Sequence, residues 1–229
     1  MATISADLQA VGQRIAAAAR AAGRDPGSVR LLAVSKTFSE AAVRAAAAAG
    51  QRAFGENYVQ EALAKMAALS DLGLEWHFIG PLQSNKTRAV AEHFDWVHSV
   101  DRMKIAERLS AARAGRPPLQ VCLQVNTSGE ASKGGVQPEE AVELARAVAR
   151  LPHLRLRGFM TIPEPTRDVT LLRSRFRLLR ELRDALNARG LELDTLSMGM
   201  SDDLEAAILE GATIVRVGTA IFGARKRSQ

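Results

Sequence analysis

Lys36 closes the segment VRLLAVSK (29–36), directly after a short apolar run and directly before a stretch that reads as a helix. An amine placed there keeps its stem among apolar neighbours and brings its nitrogen to their edge. Partial withdrawal from water disfavours the ammonium form and frees the lone pair for attack on a carbonyl carbon. A strand-end lysine paired with a carboxylate would occupy the same place, and position alone favours that plainer reading. The far end of the chain changes the balance. GMSDD (199–203) combines a glycine, the Ser201 hydroxyl and the unpaired amides of a helix start, and RVGT (216–219) adds Gly218 and the Thr219 hydroxyl. Both segments suit a phosphate group. Asp202 and Asp203 would repel it unless they turn outward to cap the helix. Arg216 is costly to bury without a partner. The candidates are a heterocyclic nitrogen, which an arginine would keep unprotonated, or an internal carboxylate such as Glu56.

These residues are far apart in sequence, so the fold must bring them together. Eight short apolar runs, at 29–35, 52–57, 75–80, 95–100, 119–126, 154–162, 195–200 and 213–222, alternate with stretches of helical character at 39–49, 57–69, 84–93, 102–114, 138–150, 168–189 and 202–210. Ser39, Asp101 and Ser201-Asp202-Asp203 read as helix starts, and Gly50, Gly190 and Gly211 as helix ends. A further helix spans 4–22. The pattern predicts an α/β fold, a single-domain (β/α)8 TIM-type barrel over residues 1–229 with an extra N-terminal helix, in preference to an open doubly wound sheet. In such a barrel, chemistry gathers at the carboxyl ends of the strands, and phosphate sites lie in the loops after strands seven and eight. Lys36, Asn57, Ser201, Arg216, Gly218 and Thr219 all fall at those ends. His77, inside the third run, reads first as a satisfied core histidine and second as an acid or base.

Composition narrows the function classes. Hydrophobic residues make up 47% and charged ones 24%, ordinary globular usage. The surplus of 31 Lys+Arg over 25 Asp+Glu, a net charge of +6, allows an anionic partner. Aromatic residues at 4% offer no stacking platform, and the dense basic run is confined to Arg225-Lys226-Arg227, so nucleic acid is not expected. The lone Cys122 excludes a disulfide framework and a multi-thiolate metal site, and no metal is expected. The N-terminus lacks the order of a signal peptide, and no apolar run reaches membrane-spanning length. Neither a membrane partner nor a location outside the cytoplasm is expected.

The blocks LLAVSKT, FGENYVQE, WHFIGPLQSNK, VNTSGEASKGG and LSMGMSDDLEAAILEGATIVRVGTAIFGAR together resemble the YggS/PROSC family of pyridoxal phosphate homeostasis proteins, which are similar to the barrel domain of alanine racemase. The resemblance covers nearly the whole chain. It implies that Lys36 holds pyridoxal 5'-phosphate as a Schiff base, with Ser201, Gly218 and Thr219 at the phosphate, Asn57 near the ring and Arg216 at the pyridine nitrogen. Each position carries the residue the family pattern asks for. Lys133, in the glycine-rich loop, either approaches an anion or meets solvent.

The resemblance also bears on turnover. The racemase barrel works with a tyrosine contributed in trans by a second domain, whereas this sequence has one tyrosine, Tyr58, within the barrel. A complete cradle without an evident second acid or base implies PLP binding and homeostasis, by buffering or by delivery to PLP-dependent apo-enzymes, with no catalytic residue assigned. A monomer is expected. The alternative is a small PLP-dependent amino-acid racemase whose second base is His77.

Overall fold

A strand buried on both faces shows no polar alternation, which is why the apolar runs mark the strands without revealing which residues face inward. The computed structural model describes residues 3–130 and 134–224. Lys133 and the tail Arg225-Lys226-Arg227 lie outside the described residues. Eight parallel strands, β1 (Arg30–Val34), β2 (Ala53–Glu56), β3 (Glu75–Phe78), β4 (Trp96–Val100), β5 (Leu119–Gln124), β6 (Leu154–Met160), β7 (Thr195–Ser197) and β8 (Ile214–Val217), pair in sequence order, and β8 returns to β1 to close the barrel. The closing register sets Leu32 beside Arg216 and Ala33 beside Val217. Around it lie α1 (Ile4–Ala21), α2 (Glu40–Ala48), α3 (Val59–Ala68), α4 (Thr87–His93), α5 (Met103–Ala112), α6 (Pro138–Val148), α7 (Val169–Asn187), α8 (Leu204–Leu209) and α9 (Thr219–Phe222).

The lumen is filled in patches, with Leu32, Val34, Ala53, Ile79 and Ile214 together and Trp96, Cys122 and Met160 together. Outward residues such as Ala33, Phe54, Phe78 and Val97 pack under the helices in one continuous core. The buried alanines Ala18, Ala19, Ala46 and Ala47 leave little side-chain bulk between helix and sheet. Phe54, Phe78, Phe94, Phe159 and Phe176 are fully buried, and truncating any one would cost about 3–5 kcal/mol. At Gly158 a side chain would strike the backbone of Thr195, so only glycine lets β6 and β7 meet there.

The extra helix α1 starts on Thr3, whose hydroxyl accepts from the Ala6 amide at 3.3 Å. Its Arg14 binds both oxygens of Glu205 at 2.8 and 3.0 Å and the carbonyl of Ser201 at 2.9 Å, so the helix braces the loop after β7 from outside.

Two expected boundaries are corrected. The eighth run is strand only to Val217; beyond Gly218 the amides of Ile221 and Phe222 both donate to its carbonyl at 2.9 Å, which turns 219–222 into the short helix α9. Likewise β7 stops at Ser197, and Gly199, at φ +94°, swings the chain out of the sheet. Asp101 does not cap α5; Arg102 holds the capping position, and Asp101 instead accepts from the Arg102 guanidinium at 2.6 Å.

Candidate functional site

At the carboxyl end of the barrel a cavity of about 200 Å³ is lined by Lys36, Asn57, Ser201, Arg216, Gly218 and Thr219, with Val34, Phe38, Ile79, Ile162 and Met200 as its apolar wall. All six residues singled out in the sequence therefore meet in one place. Lys36 follows Leu32 and Val34 on the inward parity of β1, which carries its side chain to the mouth. The loops after β7 and β8 come together on the other side, where the Thr219 hydroxyl donates to Ser201 Oγ at 3.1 Å. Asn57 directly follows β2, and its Oδ1 is buried with no hydrogen-bond partner among the described residues. A side chain at Gly80 would collide with the Asn57 backbone, so glycine there lets the β3 loop pass close against it.

Asp202 and Asp203 divide the roles expected of them. Asp203 turns back to accept from the Met200 amide at 2.5 Å, and burial raises its carboxyl above the ordinary range. Asp202 is exposed at the rim of the cavity.

Arg216 is buried, and burial lowers its pKa to about 10. Among the described residues it forms no ion pair with Glu56 or another carboxylate. Nη1 donates to Ser197 O at 2.6 Å and Ser197 Oγ at 2.8 Å, and Nη2 donates to Thr161 O at 2.8 Å. Glu56 is engaged elsewhere, with Lys65 at 2.8 Å and the Ser35 hydroxyl at 2.6 Å, on the outer side of the sheet.

Below Arg216 a polar chain runs down the lumen. Ser197 Oγ meets His98 Nδ1 at 2.8 Å, His98 Nε2 meets His77 Nδ1 at 2.9 Å, and His77 Nε2 meets Glu75 Oε1 at 2.5 Å. Glu75, bound mainly by His77, has its pKa lowered to about 2 and is ionised. Burial lowers the pKa of both imidazoles, that of His98 well below its ordinary value, so both are neutral. The ends then fix every proton. The carboxylate can only accept from His77 Nε2, leaving Nδ1 to accept from His98 Nε2, and His98 Nδ1 to accept from the Ser197 hydroxyl. That hydroxyl in turn accepts from Arg216. His77 is thus a satisfied core histidine with both ring nitrogens engaged, and it does not line the cavity. Neither His98 nor Ser197 in this role was visible in the sequence, although their inward parity on β4 and β7 places them in the lumen once the barrel is known.

Comparison with known proteins shows the family. Residues 6–226 match the family described as alanine racemase, N-terminal domain. The pyridoxal phosphate homeostasis protein of Pseudomonas aeruginosa is 66% identical over 226 residues, covering 98% of this chain and 97% of its relative. The chain belongs to the pyridoxal phosphate homeostasis protein family. Its counterpart in Escherichia coli K12 is 54% identical over 233 residues, covering 99% of this chain and 98% of that one. The structure of PipY from Synechococcus elongatus PCC7942 with PLP bound superposes with a TM-score of 0.84 at 41% identity, covering 96% of this chain and all of that one. The family assignment agrees with the closed parallel barrel and its N-terminal helix. Among the described residues no helix is long and apolar enough to cross a membrane.

Proposed function

We propose that the protein binds pyridoxal 5'-phosphate at the cavity and holds it for homeostasis in the cytoplasm, buffering it or delivering it to PLP-dependent apo-enzymes, without turning over a substrate. The observation that carries this reading is the convergence of the Lys36 amine, the paired Ser201 and Thr219 hydroxyls and a buried arginine on one cavity. The residues fit the group. A lysine suits its aldehyde, two hydroxyls beside the α9 N-terminus suit its phosphate, and the buried acceptor of Asn57 and the guanidinium of Arg216 suit its ring. When bound, the cofactor supplies an aldehyde and an electron-withdrawing ring. Lys36 would anchor it covalently, Ser201, Gly218 and Thr219 would hold its phosphate, and Asn57 would lie at the ring. Arg216, its orientation fixed by Ser197 and Thr161, would donate to the pyridine nitrogen and leave it unprotonated, which would weaken the ring as an electron sink. The whole of 1–229 acts as one cofactor-binding domain, and the protein works as a monomer.

The names of the relatives and the PLP-bound PipY support this reading. Racemase activity would need a second acid or base at the cavity, and His77, the residue that sequence offers, is sealed in the lumen. Cofactor added to the purified protein should give a near-visible band that borohydride fixes to Lys36, and Lys36→Ala should abolish it. A label on another residue would overturn the site. Racemisation or transamination at enzyme-like rates across a panel of amino acids, lost in Lys36→Ala, would overturn the custodial role.

A further inference from the structure

Lys36 is the second residue of a tight turn, Ser35–Phe38, closed by the Phe38 amide donating to Ser35 O at 3.0 Å. The third residue, Thr37, has φ +68° and is the one non-glycine at positive φ among the described residues. Turns of this shape ordinarily put glycine there, and a β-branched residue resists it. Something must hold Thr37 in place. Its amide donates to Glu61 Oε1 at 2.6 Å. The same oxygen accepts from Lys65 Nζ at 2.6 Å, and Lys65 also donates to Ser35 O at 2.7 Å and Glu56 Oε1 at 2.8 Å. An ammonium has three protons, and all three are spent on this cluster. Both neighbours of Lys36 in the chain are therefore fixed from outside the barrel, Ser35 through its carbonyl and hydroxyl and Thr37 through its amide. None of Glu56, Glu61 and Lys65 lines the cavity.

We propose that Glu61 and Lys65 are positioning residues, which hold the turn so that the Lys36 amine is presented to the aldehyde of the cofactor. The proposal rests on the cofactor reading above. Without the Glu61 acceptor, Thr37 relaxes to an ordinary φ and the turn no longer aims Lys36. Lys65 carries the same function to Ser35, but its removal would strand the Glu56 carboxylate in the interior, so Glu61, which is partly exposed, is the position to test.

Apo-protein is mixed with PLP, and the growth of the near-visible band and the borohydride-fixed mass on Lys36 are followed. Pyridoxine 5'-phosphate, which shares ring and phosphate but has no aldehyde, is titrated in parallel. Glu61→Ala should slow and weaken the lysine linkage by about five- to thirty-fold, the equilibrium equivalent of the positive-φ penalty, while pyridoxine 5'-phosphate binds as to the wild type. Glu61→Gln, which keeps an acceptor for the Thr37 amide, should stay within a few-fold of wild type. Adding Thr37→Gly to Glu61→Ala should restore most of the linkage, because glycine adopts positive φ without that penalty. The proposal is overturned if Glu61→Ala links as fast as wild type, if it loses pyridoxine 5'-phosphate in equal proportion, or if Thr37→Gly gives no recovery. A wild-type protein that forms no lysine linkage overturns the cofactor reading itself, and this proposal with it.

Discussion

Ser197→Ala cuts the luminal chain at its most connected point. The serine hydroxyl donates to His98 and accepts from Arg216, and all three residues are buried. Removing it leaves His98 Nδ1 as a buried acceptor with no donor, at a cost of about 1–3 kcal/mol, and takes one charge-assisted bond from Arg216. Arg216 Nη1 still reaches Ser197 O, so that second loss is partial. The apo-protein should therefore lose about 2–4 kcal/mol, read as a lower midpoint in chemical denaturation at unchanged slope. A second variant sharpens the test. His98→Phe alone orphans His77 Nδ1 and the Ser197 hydroxyl, whereas in the double variant the Ser197–His98 pair is gone and only His77 Nδ1 is stranded. The double variant should be less destabilised than the sum of the singles by about 1–3 kcal/mol. Losses that add within about 0.5 kcal/mol, or a single-variant loss below about 1 kcal/mol, would refute the chain as a coupled unit.

Other outcomes follow from the same geometry. His77 and His98 both have pKa values lowered in the folded state, so unfolding takes up protons below the unfolded value of about 6.5. Stability should be full above that pH and fall as pH drops toward the depressed native values, by up to about 2.7 kcal/mol per pH unit if both titrate together; denaturation midpoints that are flat from pH 7 to 5 would contradict this. Glu75, held low chiefly by its bond to His77, adds a loss coupled to that imidazole as pH falls from its unfolded value near 4.5 toward about 2. Arg14→Ala, at a half-exposed ion pair, should cost less than about 1 kcal/mol in denaturation yet speed cofactor loss in dialysis severalfold, because it frees the Ser201 loop while leaving Lys36 untouched. Cys122, buried and with its thiol pushed up to about 12, should resist thiol reagents in the native protein and react on unfolding.

The barrel and its mouth are legible because strands buried on both faces leave apolar runs without regular polar alternation, and because Lys36, Asn57 and Ser201 stand at or just past the ends of those runs and Arg216 near the end of β8. The ends themselves were harder. TAIF after Gly218 is as apolar as a strand, and it is the carbonyl of Gly218, accepting two amides, that makes it a helix. From sequence Glu56 is a candidate partner for Arg216 because both are charges in strands, but adjacent strand positions face opposite sides of a sheet, and sequence does not say which side is the lumen. The role of Lys65 is hidden from sequence for a similar reason. In EALAK it reads as a lysine on a solvated helix face, and only the packing of α3 over β1 and β2 places its ammonium behind Lys36.

The luminal chain has a one-way polarity. Each link, from Arg216 through Ser197, His98 and His77, donates toward Glu75, whose carboxylate reaches solvent at the amino end of the barrel. Reversing the chain would require Arg216 to accept a proton, which a guanidinium does not do. The column that crosses the barrel is therefore an insulator rather than a wire: water at the amino end cannot feed protons up to the cavity. If Lys36 holds the cofactor as proposed, this column gives it no proton relay from the amino end of the barrel.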